Sequence, residues 1–302
     1  MSWIKDQDDR SWVQKLCTAV LKQGLIPQHV GFILDGNRRY ARGQNLQTVE
    51  GHRKGFEKLS DTLRWCLDLG ITEVTVFVFS IENFKRSEEE VSGLMKLAKE
   101  KFQKLLDEEE NLMNEGVCVQ IVGDWSLVPE DLRILMAKAM YMTRNNTRAK
   151  LNVAFAYTSR NEITRGMKLI HQGLLDGSIL EDDVDCKLLE ESFYILPSKP
   201  LDILVRTSGE KRLSDFLLWQ SAETVLCFTN VLWPEFTYWH LLSVVFQFQI
   251  DKRNLMHLNL KANDLQVTDL AMEQRQHKFI EKIRQQQWKI IADDASRINS
   301  SL

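Results

Sequence analysis

Between residues 29 and 229, short runs rich in β-branched and aromatic residues take turns with longer segments of helical periodicity. Few architectures satisfy that alternation. It is what βαβ units produce, and it predicts an α/β fold with an open, largely parallel sheet flanked by helices. The strands are expected at His29 to Asp35, Glu73 to Ser80, Val117 to Gly123, Leu151 to Tyr157, Asp202 to Thr207 and Thr224 to Phe228. Most are almost unbroken apolar runs, as strands covered on two faces require. In such a sheet ligands settle outside the carboxyl ends of the strands, so the residues that end them, Asp35, Ser80, Asp124, Tyr157 and Arg206, are the first to inspect.

A core over residues 28–250 with helical extensions at 1–27 and 251–302 accounts for the 302 residues. The longest helical pattern runs from Ser87, a side-chain cap followed by Glu88 to Glu90, to Asn114, about 40 Å of helix. Its apolar stripe is Val91, Leu94, Met95, Ala98, Phe102, Leu105, Leu106, Leu112 and Met113. Two readings fit the stripe: a helix packed on the sheet, or the wall of an elongated apolar channel. Residues 11–25 place Trp12, Val13, Leu16, Cys17, Val20 and Leu21 on one helical face, suited to covering the core or to lying on a membrane surface. After Asp251 the chain is polar and helix-prone, with Phe279, Ile280, Ile283 and Ile291 as its main apolar positions, and it reads as an arm that packs against a neighbour. Trp233, Tyr238 and Trp239 lie near the start of a helix expected to reach Phe248, in core or subunit contacts.

A formal charge of -3 gives no basis for expecting nucleic acid as partner, which needs a clustered basic face. Cys17, Cys66, Cys118, Cys186 and Cys227 are odd in number, scattered and without metal-ligand spacing, so reduced, buried or inert thiols are expected. Asp6, Asp8 and Asp9 precede the first apolar stretch in place of a basic leader, and no long apolar span occurs, so neither secretion nor a membrane crossing is expected.

The first strand ends in Asp35-Gly36-Asn37-Arg38-Arg39-Tyr40. Gly36 permits close backbone approach, the following N–H groups attract anions, and two adjacent arginines offer planar forks to phosphate oxygens. Asp35 at the edge of such a cradle is one carboxylate, enough for a Mg²⁺ whose remaining shell is phosphate and water. A capped strand-end turn with solvated arginines also fits this segment alone. Two further strand ends change the balance. Arg206-Thr207-Ser208-Gly209-Glu210-Lys211-Arg212-Leu213-Ser214 supplies two arginines and hydroxyls, and Ser80-Ile81-Glu82-Asn83-Phe84-Lys85-Arg86 supplies Arg86 with an aromatic beside it. Arginines converge from three loops on a site for diphosphate esters.

In His29 to Arg42, Glu50-Gly51-His52, Phe79 to Arg86, Arg206 to Gln220 and Val231-Leu232-Trp233-Pro234-Glu235, taken in that order, the chain resembles the cis-prenyltransferases. The resemblance covers roughly residues 28–245 and is greatest to the eukaryotic, heteromeric dehydrodolichyl diphosphate synthases. It implies repeated condensation of isopentenyl diphosphate onto an allylic diphosphate, farnesyl diphosphate being the family expectation, with each new double bond cis. It further implies Asp35 as Mg²⁺ ligand and catalytic carboxylate, catalytic roles for Asn37 and His52, and Gly36, Asn37, Arg38 and Arg39 as the cradle of the allylic diphosphate. Arg86, Arg206, Arg212 and Ser214 match the residues that hold isopentenyl diphosphate, and Phe84 matches an aromatic flanking the substrates. The stripe from Val91 to Met113 becomes the expected channel wall.

Two departures matter. Single-chain bacterial relatives carry a metal-binding glutamate where Val225 stands, Glu223 being two residues too early, and they end in an Arg-x-Gly tail where this sequence reads Arg297-Ile298-Asn299-Ser300-Ser301-Leu302. Both match the heteromeric type, which implies a membrane-anchored, catalytically silent homologous subunit of the Nogo-B receptor kind that supplies the tail, on the cytosolic face of the endoplasmic reticulum. The competing readings are weaker. An aspartate-dependent phosphatase usually wants a second aspartate at position 37, which is Asn; no GxxxxGK run exists for a P-loop; and a silent scaffold has no use for intact Asp35, Arg38, Arg39, Arg206 and Arg212.

Overall fold

The computed structural model describes residues 10–194, 199–259 and 270–297. Its strands are β1 (His29–Ile33), β2 (Glu73–Ser80), β3 (Val117–Val122), β4 (Ala149–Tyr157), β5 (Ile203–Arg206) and β6 (Val225–Phe228). They form one sheet in the order β3-β4-β2-β1-β5-β6, with every neighbouring pair parallel. The helices are α1 (Trp12–Leu21), α2 (Asn37–Gly43), α3 (Thr48–Leu69), α4 (Glu88–Asp107), α5 (Glu109–Glu115), α6 (Glu130–Thr143), α7 (Ser159–Leu175), α8 (Cys186–Glu191), α9 (Tyr238–Asn259) and α10 (Leu270–Ser296).

The order of the strands places the site. The chain enters the sheet at β1, builds toward β3 on one side, then crosses back to lay β5 and β6 on the other. The direction of winding therefore reverses between β1 and β5, and the crevice at their carboxyl ends is where an open α/β sheet receives a ligand. The register sets Ile33 of β1 beside Arg206 of β5, so the segments following both strands face each other across that crevice. Below it, β1 is buried at every position, and Phe32 packs on Trp233 and Phe236 with ring centroids 5.9 and 6.3 Å away.

Four expectations need correction. The pattern from Ser87 to Asn114 is two helices, broken at Glu108 (φ -101°, ψ 28°) inside the run Asp107-Glu108-Glu109-Glu110. The break turns Leu112 into the core and leaves Met113 exposed. The segment at Trp233 is one 3₁₀ turn, and α9 starts only at Tyr238, yet it runs on past Phe248 and through the expected boundary at residue 250.

The C-terminal helix is no arm reaching for another molecule. Phe279, Ile280 and Ile283 of α10 bury themselves against Ile170, Ile179 and Leu188 of the same chain. Asp183 receives Arg275 at 2.6 and 2.8 Å, and Asp294 receives Arg133 at 2.8 Å. Finally, the stripe on α1 is divided. Cys17 and Leu21 pack on the core while Trp12, Leu16 and Val20 point outward. The buried residue is Thr18, its hydroxyl satisfied by the Gln14 carbonyl at 2.7 Å and Tyr238 Oη at 2.6 Å.

The thiols are all free. Cys66 and Cys227 are buried, and burial raises both, Cys227 to about 11, whereas Cys186 is exposed at the start of α8. Among the described residues no helix is long and apolar enough to cross a membrane.

Candidate active site

Asp35 lies two residues beyond β1, and its backbone is held from both neighbouring connections. Thr207, following β5, donates its hydroxyl to the Asp35 carbonyl at 2.7 Å and accepts from the Asp35 N–H at 3.1 Å. Trp233, following β6, donates its N–H to the same carbonyl at 2.9 Å and its indole N–H to the Gly55 carbonyl at 2.7 Å. With the main chain fixed, Asp35 Oδ1 accepts the Gly36 N–H at 2.7 Å and Oδ2 accepts Arg206 Nη2 at 2.7 Å. Burial works to raise this carboxyl; Arg206, by hydrogen bond and by charge, and the Gly36 N–H outweigh it, so Asp35 stays ionised, below the usual carboxylate range.

Arg206 is itself buried, and its other nitrogen donates to Ser214 Oγ at 2.7 Å and to the Arg212 carbonyl. The guanidinium therefore ties the aspartate after β1 to the loop after β5.

The turn after Asp35 needs glycine. Gly36 has φ 105°, and a methyl there would lie 2.9 to 3.1 Å from Leu232. Next along, Asn37 sits in a slot that two glycines of α3 leave open. A Cβ at Gly51 would come within 2.3 Å of the Asn37 carbonyl, and one at Gly55 within 2.2 Å of its Oδ1. Asn37 donates to the Leu34 carbonyl at 3.1 Å, while its Oδ1 is buried with no hydrogen-bond partner. An orphaned buried oxygen beside an ionised aspartate is a place for a ligand's donor or cation.

A second polar group faces this one. Arg86 donates to Glu90 of α4 at 2.8 Å, and Arg38 approaches the same carboxylate at 3.8 Å. His52, from α3, lies among them, and its Nε2 is likewise buried without a partner. Burial first, then the charge of Arg86, lowers the His52 pKa to about 4 against the counter-effect of Glu90, so the imidazole is neutral near pH 7. Arg39 and Arg212 are largely exposed at the rim. Arg39 lies 4.0 Å from Asp35 and 3.9 Å from Glu210, with which Arg212 pairs directly.

Behind these groups opens a cavity of about 630 Å³. Asp35, Asn37, Arg38, His52, Arg86, Arg206, Arg212 and Ser214 line its polar part; Phe56, Leu59, Phe77, Phe79, Leu94, Leu97, Ala98, Phe102, Val153 and Phe155 line the rest. This is the shape of a ligand with a charged head and an apolar tail. Only the α4 part of the expected stripe contributes to the wall, and Leu97 and Lys101, absent from that stripe, join it. Three residues expected at the substrates do not line the cavity. Gly36 makes the turn, Arg39 stands at the rim, and Phe84 packs edge-on against Phe79 with centroids 4.9 Å apart, supporting the wall from behind. Thr207 and Trp233 lie inside the matched motifs and Glu90 in the first turn of the long helix, but motif reading assigns none of them a site role, because Thr207 and Trp233 act on the Asp35 backbone and Glu90 is a counter-ion.

Among the described residues no cluster of three or more His, Cys, Asp or Glu side chains could hold a metal. Asp35 alone fits Mg²⁺, which takes one or two protein carboxylates when a diphosphate completes its shell. Glu223 is exposed in the turn before β6 and Val225 is buried in the strand, so neither adds a ligand.

The sequence profile of the undecaprenyl diphosphate synthase prenyltransferases matches residues 33–256, a stretch that contains every group described above. The chain belongs to the cis-prenyltransferase family. It is 47% identical to the human dehydrodolichyl diphosphate synthase complex subunit over 91% of this chain and 81% of that protein. It is 40% identical to the tritrans,polycis-undecaprenyl-diphosphate synthase (geranylgeranyl-diphosphate specific) of Methanopyrus kandleri over 80% of this chain and 88% of that one. Among solved structures, lavandulyl diphosphate synthase from Lavandula x intermedia in complex with dimethylallyl diphosphate superposes with a TM-score of 0.70 at 29% identity, covering 74% of this chain and 95% of that one. A cis-prenyltransferase is a transferase of prenyl groups, and the cavity with its charged mouth and apolar interior has the form that such a transfer requires.

Proposed function

We propose that the chain is the catalytic subunit of a dehydrodolichyl diphosphate synthase, which condenses isopentenyl diphosphate onto an allylic diphosphate, farnesyl diphosphate, with Mg²⁺ to make the long-chain polyprenyl diphosphate from which dolichol for protein glycosylation derives. The observation that carries this reading is the pair of buried Arg206 with half-buried Asp35, 2.7 Å apart, at the mouth of an apolar cavity flanked by Arg38, Arg86 and Arg212.

In each cycle the allylic C–O bond breaks and its electron pair leaves on the diphosphate. The terminal carbon of the isopentenyl double bond forms the new C–C bond, and a proton leaves the adjacent methylene to place the next double bond. Negative charge grows on the leaving oxygens, where Arg38 and Arg39 form the allylic head site with neutral His52 nearby, while the orphaned Asn37 Oδ1 is an acceptor for a donor or a cation. Arg206, Arg212 and Ser214 take the isopentenyl diphosphate, with Arg86, whose charge interacts with both Asp35 and Arg38, between the two. The tail lies along Leu94, Leu97, Ala98 and Phe102 of α4. Asp35 would hold Mg²⁺, which when bound neutralises diphosphate charge.

The site is completed by another chain. A homologous, catalytically silent and membrane-anchored subunit of the Nogo-B receptor kind supplies an Arg-x-Gly tail to the open rim at Arg39 and Arg212. Support comes from Val225 in the place of a metal-binding glutamate and from the exposed apolar residues of β6 and α9, Leu226, Phe228, Trp239, Phe246 and Ile250, which suit a subunit interface. The complex sits at the cytosolic face of the endoplasmic reticulum, with the outward Trp12, Leu16 and Val20 of α1 available to an apolar surface. Co-expression with such a subunit followed by product analysis tests the reading: polyprenyl diphosphate made only by the pair supports it, and full long-chain synthesis by this chain alone contradicts it.

A further inference from the structure

The loop between Thr207 and Gln220 presents Arg212 and Ser214, and its second half, from Ser214 on, has three non-glycine residues with left-handed backbone: Ser214 (φ 51°), Asp215 (φ 60°) and Leu217 (φ 48°). Such conformations persist only where the surroundings over-determine them. The surroundings are the first turn of α7. Ser159 N–H donates to the Asp215 carbonyl at 2.7 Å, and Ser159 Oγ accepts the Leu218 N–H at 2.9 Å. The Asp215 carboxylate accepts the Arg160 N–H at 3.1 Å and Arg160 Nε at 2.8 Å. The fully buried Glu162 accepts Gln220 Nε2 at 2.9 Å and Tyr157 Oη at 2.6 Å. Between these anchors Phe216 stacks on Phe77 with centroids 4.5 Å apart. The loop is gripped at residues 215, 218 and 220 and carries, one residue before the first grip, the hydroxyl that holds Arg206.

We propose that Asp215 and Glu162 are positioning residues for the incoming isopentenyl diphosphate: by locking the loop onto α7 they set Ser214 and the Arg212 carbonyl, and through them the Arg206 guanidinium, before the substrate arrives. Neither acts on the reacting atoms. The inference rests on the assignment of this loop to the isopentenyl diphosphate in the preceding subsection. A brace serving stability alone would weaken the whole fold evenly, whereas this one adjoins the groups of a single substrate.

The test is steady-state kinetics of the complex with each substrate varied while the other is saturating. Asp215→Ala should raise KM for isopentenyl diphosphate roughly tenfold or more, as loss of a charge-assisted bond implies, and leave KM for the allylic substrate unchanged. Asp215→Asn, which keeps an acceptor for the Arg160 N–H, should recover most of the loss. Glu162→Gln, which keeps an acceptor for Tyr157 and Gln220, should behave as the wild type, and Glu162→Leu as Asp215→Ala. Unchanged KM values in Asp215→Ala, or a fall in kcat and Tm without a split between substrates, would overturn the inference. A wild-type complex that forms no prenyl product would overturn the functional assignment beneath it.

Discussion

The guanidinium of Arg206 faces two ways, with Nη2 on Asp35 and Nη1 on Ser214 and the Arg212 carbonyl. A planar fork does this and a point charge does not. Arg206→Lys is therefore expected to lower kcat/KM about a hundredfold, the scale of removing one preorganised donor; steady-state rates check this, and a variant with half the wild-type kcat/KM would contradict it. His52 makes a prediction in pH. Its folded-state pKa of about 4 lies below the ordinary 6.5, so the unfolded chain takes up the proton first. The stability tied to neutral His52 is thus complete above pH 6.5 and is lost as pH falls toward 4, by at most about 3 kcal/mol. Urea unfolding across that window should show a smaller acid loss in His52→Gln than in the wild type, and parallel curves would refute the assignment. At this scale the sequence was legible where a residue ends a strand: Asp35 and Arg206 were found by position alone. Thr207, Glu90 and Asp215 were not, since threonine on a carbonyl, a carboxylate between arginines and an aspartate on a helix N-terminus leave no pattern along the chain.

Among the elements, α3 shows why a helix tolerates glycine in its interior. Gly51 and Gly55 lie one turn apart and admit Asn37, which any side chain would displace. Gly55→Ala should lower kcat about tenfold or more through Asn37, and Gly51→Ala should do worse because its clash is with backbone. Gly43→Ala, where a methyl meets nothing within 4 Å, should keep both kcat and Tm. Equal effects at all three positions would contradict the slot. For α10 the expected outcome concerns stability. Ile280→Ala, 2% exposed in a cluster made by its own chain, should cost about 2 to 4 kcal/mol in a denaturant midpoint that does not depend on protein concentration. A concentration-dependent midpoint would restore the arm between molecules.

Element existence was readable from period and composition, and all six strands lie within two residues of expectation at each end. The break at Glu108 was not, because the apolar stripe continues across it, with Leu105 and Leu106 before and Leu112 and Met113 after. Nor was the seat of α10, because sparse apolar residues on a polar helix do not say whose surface they meet.

On the scale of the whole molecule, the strand order converts local motifs into one site. The loops after β1 and β5 carry the two arginine groups, and the crossover from β4 to β5 brings them together although they lie more than 160 residues apart, 171 between Asp35 and Arg206. Periodicity predicts a parallel sheet but not this order, which depends on which strands pair across large sequence separations. Arg39 and Arg212, exposed at the rim beside Glu210, are the place where the proposed second subunit would complete the site.

The most direct test of that account is the incorporation of radiolabelled isopentenyl diphosphate into polyprenyl product with farnesyl diphosphate and Mg²⁺, comparing this chain alone, the chain with its homologous subunit, and the same pair carrying Asp35→Ala. The account predicts long products from the pair, little from the chain alone and none from the Asp35→Ala pair; undiminished synthesis by the Asp35→Ala pair would contradict it.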